Sequence, residues 1–293
     1  MGLLELPGAA GSEYGQMRKR ASEVPGTVER IEEMWSRYKP HADRDFMAQF
    51  VEHPKERFWE MLLTVILDDC FELTPTKAGP DVCVASTPRP IWIEAVTPSR
   101  GSGNDEVPRL PDGGGVITYP EPQIILRFRS ALKSKLDVYH RYVDNGVLNP
   151  ADPYVVAISA GRLYETLMNP NEAILKAVLP IGYPQLLINP DTRQAVDGGY
   201  SYRPHVTKAG GASVSTTCFL DSEYSGISGV LLSEANFLMD TSATRDEFFF
   251  VHNPMAKNPL PAGWLGFGLE CLPVLQDGGL IAETRPVGST RPG

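Results

Sequence analysis

The stretch Gly79–Val96, GPDVCVASTPRPIWIEAV, decides how the chain is read. Two short β-rich runs, DVCVAS and PIWIEAV, are bounded by Gly and Pro, so they read as adjacent strands of a hairpin. The second run carries Glu94 between Ile93 and Ala95, and Asp81 follows the Gly79-Pro80 turn. Strict alternation would turn Ile91, Ile93 and Ala95 inward and Glu94 outward beside Trp92 and Val96. That arrangement exposes an indole and a valine together with the carboxylate and forfeits apolar burial, so Glu94 reads as placed for chemistry. Asp81 alone has a plainer reading, because aspartate is common in turns.

Two carboxylates on neighbouring strand ends can converge on one divalent cation. Magnesium or manganese would take their oxygens, and the backbone carbonyl of Ala95 is on offer from the same strand. Such an ion neutralises charge on a phosphoryl group under attack.

Outward from the hairpin, PKERFWEMLLTVIL opens with Pro54 at a plausible first helical position and reads as a core helix over Pro54–Leu67. Its Glu60 shares a stripe with Thr64 and Asp68, a spacing equally suited to a solvated face. VERIEEMWSRY, Val28–Tyr38, reads as a charged amphipathic helix, and the residues before it as a loose Gly/Ala/Pro arm. Thr97–Gln123 reads as a long polar loop. A helix of about five turns then ends at Gly146. In it Leu132, Leu136, Tyr139 and Val143 form the core stripe, Lys133 falls outside, and Lys135 lies inside the apolar sector between Tyr139 and Tyr142. An unpaired ammonium there is costly, so Lys135 either finds an anion or snorkels to solvent. PYVVAISA reads as a strand buried on both faces. Beyond Gly161 the chain is turn-rich and strand-rich, with PQLLINP, GGYSYRP, ISGVLLSE and DEFFFVHNP the clearest pieces.

The order helix, strand, strand, helix, strand resembles the core of the PD-(D/E)XK nuclease superfamily, the restriction-endonuclease-like fold. The resemblance covers roughly Pro54 to Ala160 and rests on Glu60 in RFWEMLL, Pro80-Asp81 in AGPD and Glu94 in IEAV. It implies a core of helix, three antiparallel strands, helix and strand. It also implies Asp81 and Glu94 as ligands of Mg or Mn, and Glu60 as an accessory ligand or acceptor for a bound water. The motif lysine position holds Val96; in some members a lysine from the following helix replaces it, which here points to Lys135. The activity implied is metal-dependent phosphodiester hydrolysis of nucleic acid, with DNA the expected polymer and a homodimer compatible because two cuts require two sites. The competing classes are an inactive nuclease-fold binding module, in which Val96 marks a decayed site, and a structural or virion-associated protein with no site.

At 293 residues the chain can bury a large core without staples. The expectation is an α/β fold with a mixed central sheet flanked by helices. The expected division is an arm over 1–27, a nuclease-like core over 28–160 and a strand-rich C-terminal part over 161–293 packed on the core as one domain. The four cysteines, Cys70, Cys83, Cys218 and Cys271, lack zinc or disulfide spacing and read as buried reduced thiols. With no apolar leader or long apolar segment, a soluble cytoplasmic protein is expected, with no membrane partner. A net charge of −9 disfavours coating nucleic acid by bulk electrostatics, although Arg127, Arg129, Lys133, Lys135 and Arg141 offer a local basic lining. Phosphate-loop, dinucleotide, zinc-protease and serine-elbow signatures are missing, DGGG at Asp112–Gly115 follows no strand, and the five histidines are scattered, with His252 kept as a weak candidate at a strand end.

Overall fold

The computed structural model describes residues 2–287 apart from 77, 110, 112, 114, 117, 164–168, 239–243 and 277–278. Lys77, and Asp112 and Gly114 of the DGGG run, lie outside the described residues.

The fold is α/β with a mixed central sheet. Strands β1 (Val82–Val84), β2 (Ile91–Val96) and β3 (Tyr154–Ser159) come first, then two small hairpins, β4 (Ile181–Ile188) with β5 (Ala195–Tyr202) and β6 (His205–Thr207) with β7 (Ser213–Ser215). Strands β8 (Gly229–Ser233), β9 (Phe249–His252), β10 (Leu269–Gln276) and β11 (Gly279–Pro286) then return to the first sheet. Its order is β1-β2-β3-β8-β9-β10-β11. The pairs β2–β3, β3–β8 and β9–β10 are parallel and the rest antiparallel. Residues 28–160 and 161–287 therefore share one sheet.

Helices cover both faces. One layer is built by α1 (Glu13–Glu23), α2 (Thr27–Tyr38), α3 (Phe46–Glu52) and α4 (Pro54–Asp68), the other by α5 (Glu121–Asp144) and α6 (Pro170–Val178). The first layer buries Ile91, Ile93, Val155 and Ala157 from the sheet. The second buries Tyr154, Val156 and Ile158, with Trp92 and Val96 packed against it. This sandwiching explains why β3 is apolar throughout, and why β2 can hold Glu94 beside Trp92 without exposing the indole.

The first 27 residues are not an arm. Leu3, Tyr14, Met17 and Ala21 are buried in the first layer, the last three on one stripe of α1. The Tyr14 hydroxyl donates to the carbonyls of Leu3 and Leu6, and the Glu32 carboxylate accepts from the Leu3 and Leu4 amides, which ties the terminus down. Helix α5 begins at Glu121, inside the stretch expected to be loop: Pro122 sits in its first turn, where a missing N–H costs nothing. Gly146 follows it at φ 67°, the left-handed stop that glycine favours. Three cysteines are buried as expected; Cys70 is exposed.

Candidate active site

The β1–β2 register pairs Val82 with Ile93 and Val84 with Ile91, which sets Asp81 across from Glu94, one residue past the paired end of β1. Asp81 Oδ2 accepts from the Ala95 amide at 2.7 Å. A residue's N–H and C=O leave a strand on the same side, so the Ala95 carbonyl also faces the Asp81 side, beyond the reach of β1. The hairpin thus brings Asp81, Glu94 and the Ala95 carbonyl to one place.

Glu94 is 5% exposed and points to the α5 face. Its Oε1 accepts from the Lys135 ammonium at 2.6 Å. Lys135 sits mid-helix, so the apolar-sector position marked in the sequence has its anion, and Glu94 is that anion. The other Glu94 oxygen, Oε2, is buried with no hydrogen-bond partner among the described residues. An orphaned carboxylate oxygen beside a second carboxylate is costly unless a cation or proton supplies the missing contact.

Glu60 comes from α4, on the opposite face. Its Oε1 accepts from the Tyr38 hydroxyl at 2.6 Å, and its Oε2 pairs with Arg57. The stripe it shares with Thr64 and Asp68 is solvated only at its far end: Asp68 is exposed, but Thr64 is buried and its hydroxyl donates to the Glu60 carbonyl. Glu60, Asp81, Ala95, Val96, Arg57 and Lys135 line one cleft of 380 Å³. Glu94 lies behind that wall, and Lys135 connects it to the cleft.

The electrostatics match this crowding. Burial, then the Asp81 charge, push Glu94 up to about 7 against the pull of Lys135. Burial and Asp81 likewise raise Glu60 to about 7, against the hydrogen bonds and charge of Tyr38 and Arg57. Burial also raises Asp81, opposed by Lys135, the Ala95 amide and Arg57; because its side chain is open to solvent, that burial weighs less than for the other two. Burial and the adjacent Glu60 charge push the Tyr38 hydroxyl up, which keeps it a donor. Three carboxylates are therefore held together with less positive charge than they need.

The donor set is all oxygen, which suits a hard ion such as magnesium. Among the described residues no three His, Cys, Asp or Glu side chains form a group that could hold a metal ion. An ion here would rest on Asp81, Glu94, the Ala95 carbonyl and water.

Several site residues escaped the sequence reading. Arg57 and Tyr38 anchor Glu60, and the signal for Arg57 was its i,i+3 spacing to Glu60 on α4. The basic lining drawn from α5 does not assemble. Arg129 is buried against the Ser215 carbonyl and the Tyr224 hydroxyl, and Lys133 pairs with Asp137 and Glu223. His252 is buried at the far side of the sheet centre, 3.1 Å from Glu270, which also binds Arg285, so it serves packing between β9, β10 and β11. No helix among the described residues is long and apolar enough to cross a membrane. No family model matches the chain, and neither a curated protein nor a solved structure shows significant similarity to it.

Proposed function

We propose that the chain is a divergent PD-(D/E)XK enzyme hydrolysing phosphodiester bonds of nucleic acid with Mg or Mn, DNA being the expected substrate. The observation that carries the reading is the Lys135–Glu94 contact beside Asp81: the ammonium from the helix lines the same cleft as Val96, the residue at the motif-lysine position, which supports a lysine relocated to the helix. The element order supports it, with the first of three antiparallel strands reduced to the segment around Leu73, which bridges Val84.

Asp81, Glu94 and the Ala95 carbonyl would hold the ion, which when bound supplies Lewis-acid neutralisation of charge on the phosphoryl group. Lys135 lines the cleft and has N–H donors beyond the one held by Glu94, so it can orient an attacking water and stabilise charge on the phosphate. Glu60, titrating near neutral pH, is suited to accept a proton from that water. Arg57 holds Glu60 in place and adds positive charge to the same wall.

A second reading is an inactive nuclease-fold binding module. It is favoured by the position of Glu94 behind the cleft wall and by the absence of a third ligating side chain among the described residues. Cleavage of single- and double-stranded DNA and RNA in Mg or Mn separates the two. Activity lost in both Asp81→Asn and Glu94→Gln supports the enzyme, whereas wild type that binds nucleic acid without cutting it in either metal supports the module.

A further inference from the structure

The carboxyl ends of the parallel strands β2, β3 and β8 open into a second cleft of 300 Å³, reached through Thr97, Ser159 and Ala235. Crevices outside the carboxyl ends of parallel strands are where open α/β sheets bind ligands. Thr97 lines both this cleft and the acidic one, so the two adjoin.

Five cations line it: Arg20, Lys55, Arg100, Arg109 and Arg162. Glu13 is the carboxylate in the wall, and it is engaged by Lys55 at 3.0 Å and Arg162 at 2.8 Å. Glu56 takes a second contact with Arg162. Positive charge therefore remains in excess. Arg20 and Arg109 are exposed and make no ion pair among the described residues. Two polar groups have their hydrogen bonds missing: Thr97 Oγ1, in a residue 8% exposed, and Arg162 Nε are buried without partners among the described residues. The floor is apolar, with Phe58 and Phe237 edge to face at 6.4 Å between centroids.

The geometry points to a pocket for one unpaired nucleotide flanking the scissile phosphate, with its phosphate among the arginines and its base against Phe237, which Phe58 backs from the core. The inference rests on the proposed phosphodiesterase reading and narrows it to substrates with a single-stranded stretch at the cut. Guanidinium groups match phosphate oxygens in bidentate fashion, and aromatic side chains stack any base. A base stacked inside a duplex cannot enter such a pocket.

The test uses the intact chain in EDTA, titrated calorimetrically with a deoxynucleoside 5′-monophosphate, the matching nucleoside and inorganic phosphate. The monophosphate should bind at least about tenfold more tightly than either part, the difference that one stacked base makes. Arg20→Ala and Arg109→Ala, which remove exposed side chains without ion-pair partners among the described residues, should each weaken it several-fold. Monophosphate bound no better than inorganic phosphate, or binding indifferent to both arginine variants, overturns the pocket. Wild type that cuts duplex and single strands equally also overturns it while leaving the phosphodiesterase reading intact. Monophosphate binding without cleavage in Mg or Mn overturns the flanking-nucleotide role together with the enzyme reading, and leaves a nucleotide-binding site.

Discussion

Replacing Glu94 by Gln should make the metal-free protein more stable at pH 8, although it deletes one half of a buried ion pair. Glu94 titrates near 7 in the folded chain against an ordinary 4.5. That displacement corresponds to about 3 kcal/mol by which the folded state disfavours the carboxylate relative to the acid, Lys135 included. A carboxyl whose folded value is raised penalises folding above that value and not below its unfolded one. Wild type should therefore lose stability as pH rises from about 4.5 to about 7. Gln has the shape of the protonated acid and does not titrate, so it should abolish this share of the slope and leave that of Glu60. At roughly 2 °C per kcal/mol for a chain of this size, the variant should melt about 6 °C higher at pH 8 and indistinguishably from wild type near pH 4.5. Thermal melts in EDTA across that range make the measurement. A variant that melts lower than wild type at pH 8 would refute the reasoning, because the attraction of Lys135 for Glu94 would then outweigh burial and the Asp81 charge.

Magnesium at about a hundred times its dissociation constant should stabilise wild type by about 3 kcal/mol at pH 8 and by less at pH 5, where a proton holds the Glu94 carboxyl; equal shifts at both pH values would remove Glu94 as a ligand. Lys135→Ala should abolish cleavage yet keep magnesium affinity within a few-fold, read by calorimetry. Adding Val96→Lys to Lys135→Ala should recover part of the activity, since Val96 lines the same cleft; full activity in Lys135→Ala alone would assign the water-orienting role elsewhere. Deleting residues 2–23 should leave an insoluble or molten chain, seen by loss of a cooperative melt, because Leu3, Tyr14 and Met17 are core residues; an unchanged melt would mean that α1 adds nothing to the first layer.

Where local chemistry and burial agree, the sequence is legible. The β1–β2 hairpin follows from two β-rich runs between Gly and Pro, α4 from Pro54 and its apolar run, and β3 from an uninterrupted apolar stretch. Lys135 was readable because a cation in an apolar helical sector demands an anion, and its distance to Glu94 is 2.6 Å. What misled were segments whose burial is decided by partners far along the chain. Helix α1 is charged and short of apolar residues, so only the groove it enters reveals Tyr14 and Met17 as core. Pro122 disguised the first turn of α5 as loop. The strands β10 and β11 carry Glu270, Glu283 and Arg285 among apolar residues, and their membership of the main sheet depends on β9 rather than on their own pattern. Glu94 reads as out of place in the sequence, and the reason comes from the second helical layer, which packs against Trp92 and Val96 beside it.

The sheet order also has a consequence in time. β3 is bounded by β2 on one edge and by β8 on the other, and Val155 finds its β8 partner, Gly229, 74 positions later. A chain emerging from the ribosome thus completes α4, β1, β2, α5 and β3 with one flank of its most apolar strand still unpaired. At translation speeds of roughly 5–20 residues per second, that flank waits some 4–15 s for β8. An unpaired apolar edge is a template for pairing with another chain. The interval between β3 and β8, occupied by α6 and the two small hairpins, sets how long the nascent protein must be shielded.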